Sequence, residues 1–77
     1  MKVTVTVRPR EGILDPQGEA LRRSLAGLGY SVSDVRAGKV FDLELEAADE
    51  ADALRIADEI SERVLSNPLI EDYRVGA

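Results

Sequence analysis

Neither cysteine nor histidine occurs anywhere in the 77 residues, and this double absence narrows what the chain can fold into. A domain of this size buries only about 60–65% of the surface that its unfolded chain exposes, so an isolated monomer is marginal. Small folds compensate with disulfides, a structural metal or self-association. Disulfides are excluded here, and the usual zinc ligands are missing. The expectation is one domain over residues 1–77 that pairs with copies of itself.

Hydrophobic period then assigns the elements. Val3, Val5 and Val7 alternate with Thr4, Thr6 and Arg8, the two-residue period of a strand. Pro9 ends it, because proline cannot donate to a ladder. Asp15-Pro16 opens a helix: aspartate accepts from a free backbone N–H, and proline is tolerated at the first helical position. Leu21, Leu25 and Leu28 form its apolar stripe, and Gly29 stands where a left-handed cap is wanted.

Phe41, Leu43 and Leu45 alternate with Asp42, Glu44 and Glu46, a half-buried strand. Val35 and Ala37 share their parity, which suggests a preceding strand joined through a hairpin loop at Gly38-Lys39-Val40; one long bent strand over residues 32–46 is the alternative. Asp49 caps a second helix running to about Ser66, with Leu54, Ala57, Ile60 and Val64 as its stripe. Asn67-Pro68 stops it, and Ile70 to Val75 make a last short strand. The order βαββαβ predicts an α+β, ferredoxin-like two-layer sandwich, an antiparallel sheet with two helices on one face.

A net charge of −5 argues against a nucleic-acid partner, since phosphate binding needs clustered Lys and Arg. No apolar run is long enough to span a bilayer, and Met1-Lys2 leads straight into strand pattern rather than a signal peptide. No membrane association and a cytoplasmic location are expected.

Catalytic chemistry is hard to find. Without Cys or His there is no thiol dyad and no Ser-His relay. Asp42, Glu44 and Glu46 share a strand face that could hold Mg²⁺, but a charged alternating face more often serves as solvated surface or edge defence. Neither a catalytic residue nor a metal ligand is assigned. The helix start at Asp15 could receive a phosphate on free N–H groups, although a plain cap explains it as well. Ile13 and Leu14, apolar in a loop, and Gly18, which costs ~1 kcal/mol inside a helix, make that corner a candidate docking surface. Arg8, Arg10, Arg36, Lys39 and Arg74 could gather at one edge as a cationic patch; the rival reading is scattered ion pairs. Tyr73 suits either core or interface.

Three blocks carry a likeness to a known family: Leu14-Asp15-Pro16-Gln17-Gly18, Val35-Arg36-Ala37-Gly38-Lys39, and Asn67 through Arg74. With the chain length and element order, they resemble the PurS family, the small subunit of phosphoribosylformylglycinamidine synthase in purine biosynthesis. The middle block departs slightly, with Ala37 where a larger aliphatic residue is common. The resemblance implies a subunit without catalytic residues, a homodimer or dimer of dimers, that brings together a large synthetase subunit and a glutaminase subunit and supports ammonia transfer between them. The complex is a carbon-nitrogen ligase that uses ATP and Mg, with no cofactor on this chain. The interface candidates are Leu14, Asp15, Pro16, Gln17 and Gly18 in the first block, Arg36, Gly38 and Lys39 in the second, and Asn67, Glu71, Asp72, Tyr73 and Arg74 in the third.

Two rivals come from other classes. A free-standing regulatory module of this fold would bind a small ligand at a dimer interface. An acylphosphatase-like enzyme would need an anion-cradling loop after the first strand and a water-orienting asparagine. Here that loop is Arg8-Pro9-Arg10-Glu11-Gly12, with an acid inside it, and the single asparagine, Asn67, follows a helix. Fold likeness alone does not carry that function.

Overall fold

The computed structural model of the chain describes residues 1–76. In chain order the elements are β1 (Lys2–Pro9), α1 (Pro16–Gly27), β2 (Lys39–Glu44), α2 (Glu50–Ile60) with a π-helical turn at Ser61–Leu65, and β3 (Glu71–Gly76). The sheet has three strands in the order β2-β1-β3, both pairings antiparallel, with Val5 opposite Phe41 on one side and Val75 on the other.

Central placement explains the composition of β1. Val3, Val5 and Val7 are fully buried, and Ala53 and Ala57 of α2 close over them. Burying each valine contributes about 1.5–3 kcal/mol, and the two alanines let α2 approach the sheet closely. Ser61 continues that line, with its hydroxyl donating to Ala57 O at 2.7 Å; a buried hydroxyl needs such a partner. The buried stripe of α2 is thus Ala53, Ala57 and Ser61, flanked by Leu54 and Ile60, while Val64 is exposed.

Asp49 caps α2 through Asp52 N at 2.8 Å. Asp15 caps α1 through Gly18 N at 3.0 Å, with Pro16 in the first turn. Gly29 has φ +93°, the left-handed conformation expected of it, and its N–H donates to Ala26 O.

Two sequence expectations are corrected. The α+β class, with its antiparallel sheet and two helices, holds, but among the described residues there are three strands, not four. Residues 30–38 run back alongside α1 without strand pairing, so neither the hairpin nor the long bent strand forms. The physical reason is that this segment is pinned elsewhere. Ala37 N donates to Asp15 Oδ2 at 2.6 Å, and Arg36 donates to Pro9 O and Arg10 O at 2.9 and 2.7 Å. The second correction concerns the leucine stripe of α1. Leu21 and Leu28 are exposed and Leu25 half-buried, because α1 makes no extended contact with any strand; α2 does so with β1 and β3.

Candidate partner interface

The three sequence blocks meet at one corner. Leu14, Asp15, Pro16 and Gln17, then Gly38 and Lys39, then Glu71 line a single open cleft of ≈ 200 Å³. Pro9, Ile13, Ala37 and Ile70 complete its wall. The chain reaches this point three times: leaving β1, entering β2 and entering β3. Its apolar rim includes Leu14 and Ile70, both exposed.

Asp15 organises the corner. One carboxylate oxygen caps α1 and the other holds Ala37. These two backbone hydrogen bonds, from Gly18 first and Ala37 second, lower its pKa against the opposing effect of desolvation, with Arg36 helping. Gly18 is buried beneath this arrangement, where a Cβ would lie 2.0 Å from Val35 O. Its glycine identity therefore has a reason inside the fold, close packing against Val35, apart from any docking role. Gly38 is similar: a Cβ there would lie 2.6 Å from Val7 O.

On the same helix, Glu19 accepts from Arg22 at 2.6 and 2.9 Å and from Arg23 at 3.2 Å. The Arg22 hydrogen bonds hold the Glu19 carboxyl down at about 2. Across the cleft, Lys39 faces Glu71 at 3.9 Å, and Asn67 N donates to Glu71 Oε1 at 2.7 Å.

The remaining candidates lie elsewhere. Tyr73 points to the helical side, and its hydroxyl donates to Asp58 at 2.9 Å; that bond, ahead of desolvation, raises the phenol pKa. Asp72 and Arg74 face the opposite side of β3, where with Thr6, Arg8 and Tyr73 they line a second shallow cleft of ≈ 180 Å³. The five-residue cationic patch does not assemble as a whole: Arg8 and Arg74 share this second cleft with Asp72, but the other three are engaged elsewhere. Arg10 is bound to Pro68 O and Asp72, Arg36 is spent on backbone carbonyls, and Lys39 pairs with Glu71.

The sequence analysis marks Ile13 beside Leu14 but does not identify Arg10 as a structural clamp, nor Pro9 and Ile70 as cleft wall. Apolar Ile70 beside Leu69, directly after Asn67-Pro68, was the available signal. Among the described residues, no group of three or more Asp and Glu is placed to hold a metal ion, and no helix is long and apolar enough to cross a membrane. Asp42 instead accepts from Thr4 Oγ1 at 3.1 Å.

Residues 2–77 match the family model PurS, described as phosphoribosylformylglycinamidine (FGAM) synthase. The chain belongs to the PurS family. Among curated proteins, the synthase subunit PurS of Bacillus subtilis is 43% identical over 74 residues, covering 95% of this chain and 87% of that protein. The subunit from Synechocystis is 45% identical over 73 residues, 94% of this chain and 71% of that protein. Among solved structures, Bacillus subtilis PurS superposes with a TM-score of 0.86 at 42% identity, covering 97% of this chain and 94% of that one. A chain of the PurLQS structure from Thermotoga maritima superposes with a TM-score of 0.87 at 36% identity, covering 97% and 93%. The PurS family thus accounts for the full length of the fold described above.

Proposed function

We propose that this chain is the small subunit of a phosphoribosylformylglycinamidine synthase. In this role it performs no bond chemistry itself. As a homodimer or dimer of dimers in the cytoplasm, it holds a glutaminase subunit against a large synthetase subunit and helps protect the ammonia passing between them. ATP and Mg belong to the synthetase on this reading.

The observation that carries the proposal is the corner cleft, where the three family-like blocks converge beneath an uncovered apolar rim of Leu14 and Ile70. Such a rim suits protein contact better than a reaction centre, since the cleft is open and its polar groups already bond one another. Family membership over the whole chain supports the same role, as does the PurLQS assembly from Thermotoga maritima to which the fold is similar.

Reconstitution tests it. Added to the synthetase and the glutaminase, the chain should strongly raise glutamine-dependent amidine formation. It should change the reaction with free ammonium much less, because free ammonia needs neither docking nor a protected path. Equal glutamine-dependent rates with and without the chain would overturn the reading.

A further inference from the structure

The open face of the sheet, turned away from α2, carries two arginines that the rest of the molecule leaves unused. Arg10 pairs with Asp72, Arg22 and Arg23 with Glu19, and Arg55 with Asp52 and Glu59. Arg36 binds backbone carbonyls. Arg8 and Arg74 are both exposed, and neither guanidinium bonds to any of the described residues. Carboxylates outnumber basic groups in this chain by 15 to 10, so a shortage of acids does not explain two arginines left without one.

Strand register brings the two together. Arg8 stands opposite Asp72, and Thr6 opposite Arg74. Arg8 and Arg74 are therefore diagonal neighbours on one face, roughly 7–8 Å apart and within reach of each other's long side chains. With Thr6 beside both, they line the ≈ 180 Å³ cleft on this face. Asp72 is the carboxylate in that lining, and Arg10 holds it at 3.0 Å. Thr4, the neighbouring threonine on the same face, spends its hydroxyl on Asp42, whereas the Thr6 hydroxyl has no such partner among the described residues. Glu11 and Asp34 border Arg8 from the loop side, yet neither pairs with it. Two like charges set side by side repel, and an anion placed between them removes that cost.

We propose that Arg8, Arg74 and Thr6 form a binding site for the terminal phosphate of a small phosphomonoester. Guanidinium forks match oxyanions bidentately. Two forks and a hydroxyl together offer donors to all three terminal oxygens of a phosphate, more than a single carboxylate can use. The cleft is shallow, so it takes the charged group and leaves the rest of the ligand in solvent. It shares no lining residue with the corner cleft, and the inference stands independently of the bridging role.

The test titrates the ¹⁵N-labelled full-length chain with inorganic phosphate, and separately with acetate, at neutral pH and constant ionic strength. Expected is a saturable shift of the Thr6 amide and of the Arg8 and Arg74 Nε–Hε signals, with those of Arg22 and Arg55 as unmoved references. Acetate should bind at least about tenfold more weakly than phosphate. The Arg8→Gln/Arg74→Gln double variant should raise the phosphate Kd at least about tenfold while its melting temperature holds, and Arg74→Gln alone should raise it by a smaller factor. Shifts that grow linearly and spread over every arginine report a diffuse ion atmosphere and overturn the site. Acetate bound as tightly as phosphate overturns the ligand class and assigns the two arginines to a carboxylate.

Discussion

The carboxylate of Asp15 accepts from Ala37 N, 22 residues away, at 2.6 Å while its other oxygen caps α1 through Gly18 N at 3.0 Å. One side chain therefore fixes where α1 begins and where the returning segment enters β2. Because both bonds favour the ionised form, the folded-state pKa of Asp15 lies below its ordinary 3.8, and that of Glu19 falls from 4.5 to about 2. With both pKa values lowered, the folded state binds fewer protons than the unfolded state, so stability rises with pH across this window. The contribution is complete above about pH 4.5 and is lost as pH falls through the folded values. Thermal melts from pH 7 down to 2 should show this decline. Asp15→Asn should lower the melting temperature by several degrees at neutral pH and flatten the slope below pH 4.5. An unchanged acid slope would count against the double role of Asp15.

Gly18 and Gly27 sit in the same helix and should respond oppositely to alanine. A Cβ at Gly18 would stand 2.0 Å from Val35 O, whereas one at Gly27 would meet nothing within 4 Å. Gly18→Ala should cost about 1–3 kcal/mol, since backbone must shift to admit the methyl. Gly27→Ala should be neutral or stabilise by up to about 1 kcal/mol through helix propensity. Urea unfolding of both variants provides the comparison.

The sequence showed most of this fold wherever local chemistry and tertiary placement agree. Alternating valines marked β1, Asp15-Pro16 and Asp49 marked both helix starts, and Gly29 marked the end of α1. It misled at residues 32–37, where the alternation suggested a strand. The outer edge of β2 is open, but the segment is held by Asp15 and by its own Arg36 instead of pairing with it. Parity says which face a residue would take, and only the rest of the fold says whether the segment reaches a partner strand. The bonds that decide the matter, Asp15 to Ala37 and Arg36 to Pro9 and Arg10, join residues more than 20 apart, beyond any local pattern. The leucines of α1 failed for a related reason: a helical stripe specifies that something covers it, not that its own chain does. The three blocks were visible as carriers of a family likeness, but that they meet at one cleft was not, since nothing local links residues 14–17, 38–39 and 71.

The core rests on β1, so its central valine is the most sensitive test of the sheet. Val5 is fully buried, with Phe41 and Val75 opposite it on either side. Val5→Ala should cost about 1.5–3 kcal/mol, a large share of the stability of so small a domain. Thr6→Ala, on the open face of the same strand, should cost far less. Equal losses would mean that α2 does not seat on this face as described.

Leu14 separates docking from folding. It is 79% exposed and sits on the rim of the corner cleft, so the isolated chain loses little when it changes. Leu14→Glu should shift unfolding free energy by no more than about 0.5 kcal/mol, the usual range for surface substitutions. A carboxylate placed in an apolar contact must be desolvated or must break the contact. Binding to the synthetase or glutaminase, measured by calorimetry, should therefore weaken at least about tenfold, equivalent to 1.4 kcal/mol. Glutamine-dependent turnover of the reconstituted complex should fall with it, while ammonium-dependent turnover holds. Intact binding by a stably folded Leu14→Glu chain would move the interface away from this corner.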